Sequence, residues 1–237
     1  MIKQILVFGI LLLFAVPPSH AQFGKILKGL GMDQGKGLQD DTIVSGLKEA
    51  LHVGSENAVS LTGRMDGYFA NEAIKILMPD KLRPVEKGLR AVGYADPIDE
   101  FVLSMNRAAE KAAPFAKDIF WEAIKQMSFA DARKILKDGD TAATDYFRAN
   151  TTEQLTAAFQ PVVKESMDSL GVTRQYNELI GRYDSIPFMK SQSFDIDHYV
   201  VGKTLDGLFY VLGEEERKIR TNPAARVTSL LKKVFGK

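Results

Sequence analysis

Three short stretches of this chain hold residue types that could do chemistry. In the run Gly139 to Arg148, helical geometry places Thr141, Thr144, Asp145 and Arg148 at i, i+3, i+4 and i+7. Two hydroxyls and a guanidinium at the start of a helix can hold an anion. Asp140, however, stands where an N-cap takes up the free N–H groups, and its charge would repel a phosphate. The plainer reading is a capped helix with an Asp145–Arg148 surface pair. The second stretch is Asp195, Asp197 and His198, two carboxylates and an imidazole suited to a divalent cation or to proton transfer. No third or fourth ligand lies near, so no metal is expected, and Asp195 or Asp197 is read as the cap of a long helix. The third is Asn106-Arg107 on an otherwise apolar helix. Asparagine is a poor interior helix residue, so Asn106 is expected in a buried hydrogen-bond network, with Arg107 paired to Glu110.

The elements that must position these residues read as helices. One begins after Asp41 or Thr42 and reaches about Leu61; residues 63–79 are irregular or a short helix. Asp80 opens a helix that Gly93 ends, with Pro84 in its first turn, where a missing N–H goes unnoticed. Pro97 opens another, with Ile98, Phe101, Val102, Met105 and Ala109 on one face. Pro114 breaks or kinks it. Ser128 and Asp131 have the spacing of a capping box for a short helix to Leu136. Asp140 starts a helix to about Asn150, and Thr151 or Thr152 starts another, kinked at Pro161 and closed by Gly171. Thr173 caps the next, to Tyr183. A long helix from about Asp197 to Arg220 carries Val201, Leu205, Leu208, Leu212 and Ile219 on one side. Glu214–Lys218 and Glu216–Arg220 are spaced as surface pairs along its exposed end. Residues 193–201 alternate as a short strand would, but no partner strand is evident. The fold expected is all-α, a single globular domain of roughly nine helices over residues 42–237.

The start of the chain carries an address. Lys3 precedes an apolar run from Ile5 to Val16, broken by Pro17-Pro18 and ending in Ser19-His20-Ala21. That is the layout of a secretory signal peptide over residues 1–21, too short to span a membrane. Residues 22–41, with glycines at 24, 29, 31, 35 and 37, read as a flexible leader. Its Gly29 to Gly37 run matches no phosphate-loop pattern, and no nucleotide, zinc or hydrolase motif occurs elsewhere, so no cofactor is expected. The chain has 31 basic and 30 acidic residues and no cysteine. Loss of Lys3 with the leader peptide brings the charges into balance, which gives no bulk reason to bind nucleic acid. Without cysteine there is neither a disulfide nor a lipid anchor at the cleavage site. The basic tail has Lys232, Lys233 and Lys237 beside Leu230, Leu231, Val234 and Phe235. Such a helix can lie on an anionic membrane, though packing against its own domain is the preferred reading.

Five phrases occur in a telling order: Leu103 to Glu110, Gly139 to Arg148, Leu205 to Phe209, Asn222 to Arg226, and Leu230 to Gly236. Together they resemble the bacterial family known as domain of unknown function 4197, over about residues 42–236. The resemblance implies a helical protein exported to the periplasm of Gram-negative bacteria. It brings no activity or catalytic residue with it.

The expectation for function is therefore a periplasmic binding or interaction protein without catalysis, taking a small apolar ligand or a protein partner. Two alternatives stand beside it: a hydrolase-like enzyme using Asp140, Asp145, Arg148 or His198, and a structural envelope protein.

Overall fold

The computed structural model describes residues 34–169, 171–188, 190–191, 194–226 and 232. The expected signal peptide, most of the glycine-rich leader and the basic tail helix lie outside them. The chain divides into two units, Met1–Asp41 and Thr42–Lys237, and the hydrophobic core belongs to the second. The described residues form α-helices joined by short 3-10 turns, with no strand. In chain order the helices are α1 (Gln34–Gly63), α2 (Arg83–Ala91), α3 (Ala95–Ala112), α4 (Ala116–Gln126), α5 (Phe129–Lys137), α6 (Ala142–Ser169), α7 (Val172–Asp184) and α8 (Ile196–Thr221).

Helix α6 lies at the centre and packs on α3, α4, α5, α7 and α8. Its buried Phe147, Leu155, Phe159, Val163 and Met167 recur at spacings of four or eight, one face of the helix. Phe120 of α4 meets Phe147 and Phe209, with ring centroids 5.0 and 6.1 Å away, which ties α4, α6 and α8 together. The stripes expected on α3 and α8 are buried in full: Ile98, Phe101, Val102, Met105 and Ala109, and Val201, Leu205, Leu208, Leu212 and Ile219.

Local signals acted largely as their chemistry demands. Ser128 and Asp131 form both halves of the capping box. Pro84 sits in the first turn of α2, and Gly93 leaves that helix at φ +90°. Pro114 stands in a 3-10 turn between α3 and α4. Asp195 caps α8 by accepting from the His198 N–H at 2.9 Å, so residues 196–201 are helix and not strand.

Some details differ from the sequence reading. Helix α1 begins at Gln34, so residues 34–41 of the expected flexible leader are helical; glycine in a helix costs about 1 kcal/mol but does not forbid it. The two helices expected around Asn150 and Thr151 are one. Thr151 and Thr152 turn their hydroxyls back onto the Phe147 and Arg148 carbonyls, at 2.7 and 2.6 Å, and the backbone runs on. Pro161 lies inside that same helix. Its ring and Ala157, whose carbonyl it leaves without an intrahelical donor, are both exposed. With this merger, and with the tail helix outside the described residues, eight α-helices stand among the described residues against the roughly nine expected. Finally, the Glu214–Lys218 pairing is replaced: Glu214 pairs with Arg217, and Glu215 with Lys218.

Candidate functional site

Residues 64–79, between α1 and the turn that opens α2, contain neither helix nor strand. An ordered irregular stretch of this length is uncommon in a compact domain and tends to serve function. Its own backbone ladder is sparse, so other parts of the chain must hold it.

Helix α3 supplies most of the anchors. Asn106, fully buried, accepts from the Ile76 N–H and donates to the Ile76 and Val102 carbonyls, all at 2.8 Å. The buried Glu110 accepts from the Tyr68 and Phe69 N–H groups at 3.1 and 3.2 Å. Arg107 bridges Glu110 and Asp66 at 2.6 and 2.7 Å. Its guanidinium is raised above its ordinary pKa, mainly by the Glu110 bond. Asp66 takes the left-handed conformation at φ +63°, which a short acidic side chain tolerates. Helix α8 closes the other side. The Tyr68 hydroxyl donates to the Thr204 carbonyl at 2.6 Å, and burial pushes that phenol well above its usual pKa. Tyr68 reaches so close to α8 that only glycine fits at position 207: a Cβ there would lie 2.5 Å from Cε1 of Tyr68. Tyr199 donates to the Leu77 carbonyl at 3.0 Å.

Held in this way, the segment forms the wall between two open clefts. One, of ≈ 400 Å³, lies against α8 and includes Tyr199, Lys203 and Tyr210. The other, of ≈ 630 Å³, lies against α2 and α3 and includes Phe69, Lys87, Arg90 and Val102. Both are lined by Lys75, Leu77, Met78 and Arg83. Leu77 is 56% exposed at this ridge. Most cations here are matched: Arg83 with Asp80 at 2.7 Å, Arg90 with Glu86 and Asp99 at 3.0 and 2.6 Å, Lys203 with Asp206 at 3.4 Å. Lys75 and Lys87 have no carboxylate partner among the described residues. Lys75 is half-buried and stands 4.3 Å from the centroid of Phe69. Burial, and to a lesser degree Asp80, raises the Tyr199 phenol above its ordinary pKa, so at neutral pH it is a hydrogen-bond donor to Leu77.

The residues singled out from sequence are dispersed. Asn106 is in buried hydrogen bonds and the half-buried Arg107 pairs with Glu110, as expected, and both hold the ridge. The start of α6 does bind an anion, and the anion is internal. Glu216 of α8, not Asp140, takes the free amides: Ala143 and Thr144 donate their N–H groups at 3.0 and 2.8 Å, and the Thr144 hydroxyl donates at 2.8 Å. Arg220 completes the buried pair and also donates to the Ile135 carbonyl at 2.9 Å. The expected surface pairing of Glu216 with Arg220 is thus an interior one. Asp145 accepts from Thr141 at 3.3 Å and does not pair with Arg148. Arg148 instead lies over Phe209, 4.5 Å from its centroid, with Asp206 at 3.9 Å. Asp140 is exposed, and His198 is exposed in the first turn of α8. The convergence of three such residues that a hydrolase site requires is not present here. Among the described residues no group of three or more acidic or histidine side chains could hold a metal ion. The apolar cavity between α1, α6 and α8, lined by Leu47, Leu51, Phe147, Leu212 and Ile219, measures only ≈ 20 Å³, room for about one water.

Sequence reading missed Tyr68, Lys75 and Arg83; it placed Glu110 as the partner of Arg107 but not as the anchor of the Tyr68 and Phe69 amides, and Glu216 only as a surface pair with Arg220. A signal existed for Glu216. It stands four residues after Leu212 and three before Ile219, on the buried stripe, where a carboxylate must find partners.

A family model described as a protein of unknown function (DUF4197) matches residues 37–236, and the chain belongs to that family. No curated protein and no solved structure matches it.

Proposed function

We propose that this member of the family is an exported binding protein of the periplasm, which engages its ligand or partner at the ridge and twin clefts of residues 64–83 without catalysing a reaction. One observation carries the reading. A long irregular segment is fixed by a buried asparagine, a buried glutamate–arginine pair, a buried tyrosine hydroxyl and a glycine contact. Core stability alone does not call for such anchoring, because a helix or a shorter turn would satisfy the same backbone groups more simply. The product is a braced surface that exposes Leu77 over the buried Met78, beside Lys75 and Lys87, which have no carboxylate partner among the described residues. Rigid presentation lowers the entropy lost on binding. Export is supported by the charged start, short apolar run and small-residue cleavage pattern of residues 1–21.

A photoreactive residue at Leu77, in cells secreting the protein, tests the reading. A discrete adduct from position 77, absent when the same residue stands at Lys125, is the expected result. The same labelling from both positions, or none from Leu77, would refute it. The export component predicts that the protein recovered from the periplasm begins at Gln22; recovery of the intact Met1 end in the cytoplasm would overturn that part.

A further inference from the structure

We infer that the clefts take an individual anionic amphiphile, with its phosphate or carboxylate at Lys75, Arg83 and Lys87 and its apolar portion along Phe69, Leu77 and Met78. The inference rests on the reading of this ridge as a binding surface and adds the chemical class of what is bound.

The chain as a whole is nearly neutral, and many of its cations are paired at short range; Lys81, Lys111, Lys134 and Lys137 also lack an ion pair among the described residues but are exposed, whereas Lys75 is half-buried. Lys75 and Lys87 face one cleft together and have no carboxylate partner among the described residues. Lys75 is half-buried and its ammonium is held over the Phe69 ring, with no carboxylate counter-charge among the described residues. A cation in that position gains from an anion more than a fully solvated one does. Arg83 adds a guanidinium on the same rim. Its bond to Asp80 joins two largely exposed side chains, 63% and 86%, and is readily exchanged. Arg90, locked between Glu86 and Asp99, is the less available charge.

The remaining lining sets the rest of the ligand. Phe69, Leu77, Met78 and Val102 provide the apolar floor beside those cations. A bare inorganic anion would leave that floor wet, and a neutral alkyl chain would leave the lysines unmatched. A molecule with both parts satisfies both. The space, ≈ 630 Å³ in the larger cleft, suits one small molecule. A bilayer surface is the poorer fit, because the cations line a concavity and the net charge of the chain offers no long-range attraction to an anionic membrane.

The test is calorimetric titration of the chain from Gln22 onward with dodecyl phosphate below its micelle concentration. Dodecyl maltoside serves as the neutral probe with the same tail, inorganic phosphate as the bare anion, and phosphatidylglycerol vesicles as the surface. Dodecyl phosphate is expected to bind one to one, about tenfold or more tighter than either partial probe. Lys75→Gln with Lys87→Gln should weaken it about tenfold, with Lys125→Gln unchanged; the single variant at the exposed Lys87 keeps the test open if the double variant fails to fold. Equal binding of the maltoside, an unaffected double variant, or adherence to vesicles alone would overturn the assignment. An adduct from Leu77 without any dodecyl phosphate binding would remove the ligand class and leave the binding surface standing. Loss of both would remove the two together.

Discussion

Replacing Asn106 with leucine tests whether the polar side chains of α3 hold the ridge. The substitution nearly conserves volume, so it removes hydrogen bonds and opens little cavity. It strands the N–H and the C=O of Ile76, a buried residue that Asn106 satisfies at 2.8 Å in both directions. The Val102 carbonyl keeps its helical donor and should matter little. Each orphaned buried backbone group costs about 1–3 kcal/mol. The added apolar burial of leucine returns about 1 kcal/mol. The net loss expected is about 1–5 kcal/mol, out of a total stability on the order of 5–15 kcal/mol. For a domain of this size that corresponds to a fall in Tm of about 2–20 °C. Urea unfolding measures the total, and amide exchange of residues 74–78 locates it, since those amides should lose protection beyond the global change. Asn106→Asp keeps the acceptor to Ile76 but buries a charge and loses both donated bonds, so it should be the worse variant. A loss under about 1 kcal/mol for Asn106→Leu, with unchanged exchange at Ile76, would refute the idea that Asn106 fixes the segment.

The opposite wall gives a second expectation. Gly207→Ala drives a methyl to 2.5 Å from Tyr68 and 3.1 Å from Ile74; the overpacking should cost about 1–3 kcal/mol in urea unfolding, and an unchanged midpoint would contradict the close approach. Glu216→Ala uncovers two amides of α6 and leaves the Arg220 guanidinium buried without its partner. A loss of about 3–5 kcal/mol is expected, with near-native stability as the refuting result. Asp197 offers a pH test. Its Oδ1 is buried without a hydrogen bond, and burial raises its carboxyl above the ordinary value. A carboxyl with a raised folded pKa binds more protons folded than unfolded, so its penalty grows as pH rises through that window and is complete above it. Asp197→Asn should therefore raise Tm at pH 7, with the gain shrinking as pH falls toward about 4; a gain that is constant across pH would refute the assignment.

Much of the scaffold was legible because it depends on periodicity and local chemistry. The stripe from Ile98 to Ala109, the Ser128–Asp131 box and the break at Pro114 all follow from residues within a few positions of one another, whereas the 193–201 stretch alternates like a strand and its residues alone leave its helical state open. Asn106 was legible in kind, since an amide on an apolar helix must be satisfied. Its partner, thirty residues earlier, was not. The merger at Thr151 and Thr152 shows why boundaries are harder: the same hydroxyl can cap a new helix or bind back into the old one, and packing decides.

The sequence by itself determined an all-helical, cysteine-free chain of balanced charge, the faces its helices bury, and the presence of polar residues that the core must accommodate. Those properties reside in composition and in the 3.6-residue period. Only the tertiary structure decided that Glu216, and not Asp140, fills the α6 N-terminus, that α3 and α8 pin residues 64–79, and that Lys75 and Lys87 meet in one cleft. Each is a contact between segments far apart in the chain, and which donor reaches which acceptor depends on how the helices cross. Side-chain type states the need; the packing alone states what meets it.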